Sequence, residues 1–316
     1  MPSIVTHTYF AKDVYQKLKP KIKRKIDLDT FLVFSKGSDV FNSQYLDFFH
    51  HQELSDFAFY VHDNKTKKFL MEYVSHILKY RLEKNEEVVA SLYGMIAHHV
   101  LDSKTHPFIY YQTNIKPYEH KEMELLIDLY MLEKRERMKP CRVNLTKLVY
   151  PKMSYSVQLR NLLNRLYQDV YGVERMGNAY LSCLEQSHFM VRYFMLDRYG
   201  AKLKIYRILQ TLPFVSKKII LNSYANDLRK KVIYFNFEHD RWCHPCNKTE
   251  TSTASFFDLY HEALDRTIEI LEQVHEVLVG KKELKELKQV LDNASCITGK
   301  DCDIKYPMKY FKDGNV

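Results

Sequence analysis

Fourteen histidines are distributed through the 316 residues, and three of them fall with a carboxylate in one run, Ala97-His98-His99-Val100-Leu101-Asp102-Ser103-Lys104-Thr105-His106-Pro107. On a helix, side chains four positions apart are neighbours at roughly 5–6 Å. His98 and Asp102 would therefore face the same way, and an imidazole nitrogen beside a carboxylate oxygen is a pair that holds divalent metals. His99, three positions from Asp102, is an alternative by spacing alone. His106 follows one turn later, where Pro107 should break the helix and let the imidazole swing toward a second ion. His120-Lys121-Glu122-Met123-Glu124 repeats the i, i+4 arrangement on another predicted helix. Two such pairs linked by a histidine, in segments otherwise rich in apolar residues, read as ligands for more than one metal ion.

These side chains need helices to carry them. Only 8 glycines and 9 prolines occur in 316 residues, too few to turn the chain every 8–12 positions or so, as a sheet-rich fold requires. The expectation is an all-α protein, a single multi-helix domain over 1–316. Its metal motifs lie in 1–135, a helical remainder in 136–291 and an irregular tail in 292–316. Asn64 is expected to cap a helix through Phe69, Leu70, Tyr73, Val74, Ile77 and Leu78. A second helix should start near Asn85-Glu86-Glu87 and end before Pro107. Further helices are expected over about 121–134, 156–171 and 178–199, the last stopped by Gly200. Ser255 and Asp258 form a capping-box start for a helix reaching about Leu278. The alternating Val232, Tyr234, Phe235 and Phe237 make 231–247 the one stretch where a strand is admissible.

With those helices in place, the sequence resembles the zinc-dependent phospholipase C family, whose all-helical fold is shared with zinc-dependent single-strand nucleases. The family's central motif, His-x3-Asp, a His, then His-x3-Glu, is matched by His98, Asp102, His106, His120 and Glu124. An early histidine in Thr6-His7-Thr8-Tyr9-Phe10-Ala11 and an aspartate in Lys36-Gly37-Ser38-Asp39-Val40-Phe41 also fit. The resemblance selects His98 over His99. It implies that His62, His98 and Asp102 hold one zinc, and that His106, His120 and Glu124 hold a second. Asp102 would bridge to a third, bound also by His7 and the N-terminal amine and carbonyl, which removal of Met1 would place on Pro2. His62 competes with His50, His51 and His76 for its position. Asp39, presented by a flexible Gly-Ser turn, would accept the proton of the attacking water. Clustered zincs would acidify that water and clamp phosphoryl oxygens. The implied activity is phospholipase C-like hydrolysis of phosphoric diesters.

A net charge of +9 makes the surface attractive to anions such as phosphate esters or an anionic membrane. The basic runs 17–25 and 281–288 read as solvated lysine faces. No secretory signal or membrane-spanning run is visible, so a cytoplasmic protein with reduced thiols is expected. Cys243-His244-Pro245-Cys246 lacks a second Cys-x-x-Cys and reads as a turn rather than a zinc site. His188 reads as a core histidine. Three rival functions remain: a nuclease or other phosphodiesterase on the same site, an HD-type phosphohydrolase built on His62-Asp63 with Asp102, and a non-catalytic basic protein binding anionic membranes or nucleic acid. No specific nucleic acid partner is expected.

Overall fold

The computed structural model of the chain describes residues 4–43, 51–213, 215, 217–225 and 234–312. It is all-α: 67% is helical, and the sheet among the described residues is one two-stranded hairpin. The first helix, α1 (Ile4–Lys17), buries nine residues. After α2 (Pro20–Lys23), α3 (Leu28–Phe34) is capped by Asp27, whose carboxylate accepts the Thr30 amide. A 3-10 turn over Gly37–Ser43 leads to α4 (His51–Asp63) and α5 (Thr66–Lys79). The long helices α6 (Glu86–Thr113) and α7 (Pro117–Glu136) come next. Beyond them lie α8 (Leu145–Val149), α9 (Val157–Tyr171), α10 (Met176–Met190) and α11 (Ala201–Leu209). The hairpin β1 (Trp242–His244) and β2 (Asn247–Ser252) precedes α12 (Phe256–Leu278) and α13 (Leu287–Val290).

Helix α6 is the axle. Every residue from Val88 to Asp102 is buried, as a helix surrounded on all sides must be. Its start is fixed by Asn85, which accepts the Val88 amide at 3.1 Å, with Glu86 and Glu87 at the positive end of the dipole. One apolar core extends around it from Ile4 to Leu291. At α12 the Ser255–Asp258 capping box is formed in both directions.

Four sequence expectations change. Helix α6 does not end before Pro107 but continues through it to Thr113. A proline inside a helix frees the carbonyl four residues back; here that is Ser103, and the tail covers it. Gly299 lies so close that a Cβ would fall 2.4 Å from the Ser103 oxygen, and its φ of +66° further favours glycine. Asn64 does not cap α5: Lys65, at φ 57°, occupies the cap position, and the Asn64 amide instead donates to the Tyr60 carbonyl at 2.9 Å. The expected helix over 178–199 starts at Met176, winds into a π-type turn over Val191–Met195 and stops. Buried Asp197 takes the amides of Lys202 and Leu203, which begins α11 instead. Finally, among the described residues the strand admitted in 231–247 is confined to β1 and the first residue of β2, the strand with which β1 pairs antiparallel. Phe235 and Phe237 lie ahead of it, against the Phe257 ring at 5.6 and 5.8 Å, and residues 226–233 fall outside the described residues.

The tail beyond Asp292 is irregular, as expected, and is closed by a bridge between Ala294 and Asp301. No described helix is long and apolar enough to cross a membrane.

Candidate metal centre

Two groups of donors, the first buried and the second partly so, lie side by side along α6. In the first, His7 from α1, Asp39 from the 3-10 turn, and His98 and Asp102 from α6 offer ligand atoms that all lie within 4.8 Å of one another. In the second, His106 from α6 and His120 and Glu124 from α7 do the same. The seam is Asp102, whose Oδ2 is 3.3 Å from His98 Nε2 and 3.9 Å from His106 Nδ1. His7 Nε2 stands 3.1 Å from Asp102 Oδ1, and His120 Nε2 stands 3.0 Å from Glu124 Oε1.

His62 belongs to the rim of the first group. Its Nδ1 donates to the Ala58 carbonyl one turn back at 2.5 Å. That leaves Nε2 pointing inward, 3.0 Å from Asp39 Oδ1 and 3.3 Å from His98 Nε2. His98 joins the cluster while His99 turns to the other side, where its Nδ1 lies 3.4 Å from Cys296 Sγ. His99 lines, with His98, a small cavity walled by Val61, Phe69, Leu70 and Met95. His76 is used elsewhere: it bonds the Glu72 carbonyl at 2.8 Å and Asp169 at 2.9 Å. His50, the His51 side chain and the N-terminal amine with Pro2 fall outside the described residues. Asp63, needed by the HD-type alternative, is exposed and in neither donor group.

Asp39 is held on a buried 3-10 turn, not on a flexible Gly-Ser turn. It is 6% exposed, in a tight turn whose Gly37 has φ +52°. A Cβ at Gly37 would stand 1.9 Å from the His98 ring, so the glycine is required both for the backbone and for the seat of His98.

The donor set suits cations. His7 Nδ1, Asp39 Oδ2, His98 Nδ1, Asp102 Oδ2 and His120 Nδ1 are buried without a hydrogen-bond partner, a concentration that normal cores do not tolerate. With His62 and His106 each donating through Nδ1 to a backbone carbonyl, their Nε2 lone pairs face carboxylate oxygens. Acceptor facing acceptor needs a proton or a metal between them. Against protons alone the balance is strained. Burial opposes charge on His7, but Asp102 outweighs it and raises its pKa. Burial likewise opposes charge on His106, yet Asp102 and Glu124 raise it to about 10. His98 goes the other way, pulled down to about 4 by burial. Asp102 and Glu124, despite burial, are held far below the ordinary carboxylate range by the surrounding imidazoles.

Two supports escaped sequence reasoning. The tail organises the centre from behind: the Cys296 carbonyl accepts His106 Nδ1–H at 2.6 Å, and the Cys296 amide donates to the His62 carbonyl at 2.8 Å. Nothing in the spacing ties residue 296 to residue 106. Asp128, one turn beyond Glu124 on α7, takes the amides of Val5 and Thr6 at 3.2 and 2.8 Å and so caps α1 from a distance, fixing His7. The repeat His120, Glu124, Asp128 could have suggested it. Cys243 and Cys246 are free thiols outside both donor groups. His188 is only half-buried, against the Tyr150 ring at 6.0 Å, because α10 gives way there to the π-type turn.

Compared with family models, curated proteins and solved structures, the chain matches none. The buried histidine and carboxylate groups can hold metal ions, and that conclusion rests on geometry alone.

Proposed function

We propose that this protein is a zinc-dependent hydrolase of phosphoric diesters, phospholipase C-like in substrate. The observation that carries the reading is the pair of adjacent donor groups joined through Asp102 and His106. Zinc ions held there would polarise phosphoryl oxygens and acidify a water near neutral pH. His106, His120 and Glu124 form one ligand set. The resemblance assigns His62, His98 and Asp102 to another, with His7 and Asp102 serving a third ion. Asp39 stands among His7, His98 and Asp102, with His62 Nε2 at 3.0 Å from its Oδ1. Asp39 Oδ2, buried and without a hydrogen-bond partner, would accept the proton of the attacking water.

Asp39→Asn tests the division of labour. Turnover of a soluble diester such as bis-p-nitrophenyl phosphate should fall on the order of 10²–10⁴-fold, with zinc per chain unchanged. Loss of zinc would make Asp39 a ligand instead of a base. Chelation should abolish turnover of the parent, and zinc should restore it. Activity indifferent to chelator, or none on lipid, nucleotide or synthetic diesters, would overturn the proposal. Preference for single-stranded nucleic acid would move the substrate and keep the chemistry.

A further inference from the structure

Seven of the sixteen large apolar side chains exposed among the described residues fall within 189–212. Apolar residues exposed singly are ordinary, whereas a contiguous group marks an interaction surface. Helix α11 explains the arrangement. Its inner stripe, Leu203 and Tyr206, is buried, and the Tyr206 hydroxyl donates to the Phe194 carbonyl at 2.9 Å. The amides of Lys202 and Leu203 donate to buried Asp197 at 3.2 and 2.8 Å, which pins the N-terminal end. On the outer side Ile205, Ile208 and, in the following turn, Leu212 recur at helical spacing, 52%, 68% and 48% exposed. Tyr193 and Tyr199, earlier in the same segment, are 50% and 85% exposed. The helix has two apolar stripes, and the core covers one.

Charge decides what fits the other. Arg192, Arg198, Lys204 and Arg207 stand exposed around the stripe, and the only carboxylate within 189–212 is the buried Asp197. In the conspicuous lysine runs some charges are matched by acids: Lys17 with Asp265 at 3.2 Å, Lys19 with Glu272 at 2.6 Å, and Lys285 with Glu283 at 2.7 Å. Arg198, Lys204 and Arg207 form no ion pair with any described residue. Aliphatic side chains on a rigid helix, with tyrosines and unpaired cations in the same segment, match the layers of a bilayer surface. Aliphatic groups enter the acyl boundary, tyrosines occupy the headgroup level and cations meet lipid phosphates. We propose that the surface formed by residues 189–212 docks the protein on an anionic phospholipid bilayer. This inference is independent of the metal chemistry, since it is read by binding and not by turnover.

The test is co-sedimentation of the full chain with vesicles of phosphatidylcholine alone or with about 30 mol% phosphatidylserine, a headgroup mixture of anionic-leaflet type. The parent should bind the anionic vesicles, more weakly as salt rises. Lys204→Gln with Arg207→Gln should lower binding roughly 25-fold, about fivefold for each cation. Ile205→Ser with Ile208→Ser should lower it by at least about tenfold. Both variants should keep the parent's circular dichroism and its turnover of a soluble diester. Equal binding to uncharged vesicles, no vesicle binding, or binding undiminished in both variants would overturn the proposal. So would a parent that self-associates through this surface, becoming monomeric in the isoleucine variant, without binding vesicles.

Discussion

Asp102 Oδ2 faces His98 at 3.3 Å and His106 at 3.9 Å, so one carboxylate serves both donor groups. Asp102→Asn removes that charge while keeping the shape. Metal per chain and turnover should fall together, the latter by on the order of 10²-fold or more, since even outer-shell partners of metal ligands carry about 10–100-fold. His99→Gln, one residue along but facing Cys296, should leave metal content unchanged; elemental analysis of the two proteins separates the roles. Asp128 supplies a prediction in pH. Burial pushes its carboxyl up to about 6, against the hydrogen bonds of Tyr224, Thr6 and Val5. Well below pH 4 both folded and unfolded carboxyls are protonated. As pH rises, the unfolded chain loses that proton first, so the group's contribution to stability is present at low pH and is lost as pH climbs through about 6. The full effect is on the order of 3 kcal/mol. In urea titrations from pH 4 to 7, Asp128→Asn should gain stability relative to the parent; a constant difference would contradict the assignment.

At the scale of elements, the tail is the unexpected partner of α6. Pro107 frees the Ser103 carbonyl, Gly299 closes over it, and the same loop delivers the Cys296 carbonyl to His106. Gly299→Ala would force the loop off the helix and leave His106 Nδ1 without its acceptor. Metal affinity at the His106, His120 and Glu124 group should drop about 10–100-fold, measured by competition with a chromophoric chelator; unchanged affinity would mean the loop only covers the helix. Local signals made much of this legible. Asn85, Ser156 and Ser255 each accept an amide at the start of the helix they announce, and the i, i+4 pairs fall on α6 and α7. What escaped was non-local. Spacing could not decide between His98 and His99, which differ by which wall of the core they meet. Pro107 looked like a stop because the loop that accommodates it is about 190 residues away, and Gly200 precedes α11, which Asp197 starts, instead of closing α10.

For the whole molecule, low glycine content foretold the helical architecture, but composition could not say how the excess charge is distributed. The basic run 17–25 is partly neutralised by acids of α12, whereas around α11 the exposed Arg198, Lys204 and Arg207 form no ion pair with any described residue. The central claim, however, is the metal centre: α1, the 3-10 turn, α4, α6 and α7 converge to bury three carboxylates among five imidazoles, a charge arrangement that folding alone would not favour. The most direct measurement is metal per chain, by inductively coupled plasma mass spectrometry, on protein purified without chelator and then dialysed against trace zinc. The account predicts at least two zinc ions per chain in the parent, and fewer in Asp102→Asn. A parent that retains no stoichiometric metal, or an Asp102→Asn variant that retains the full complement, would contradict it.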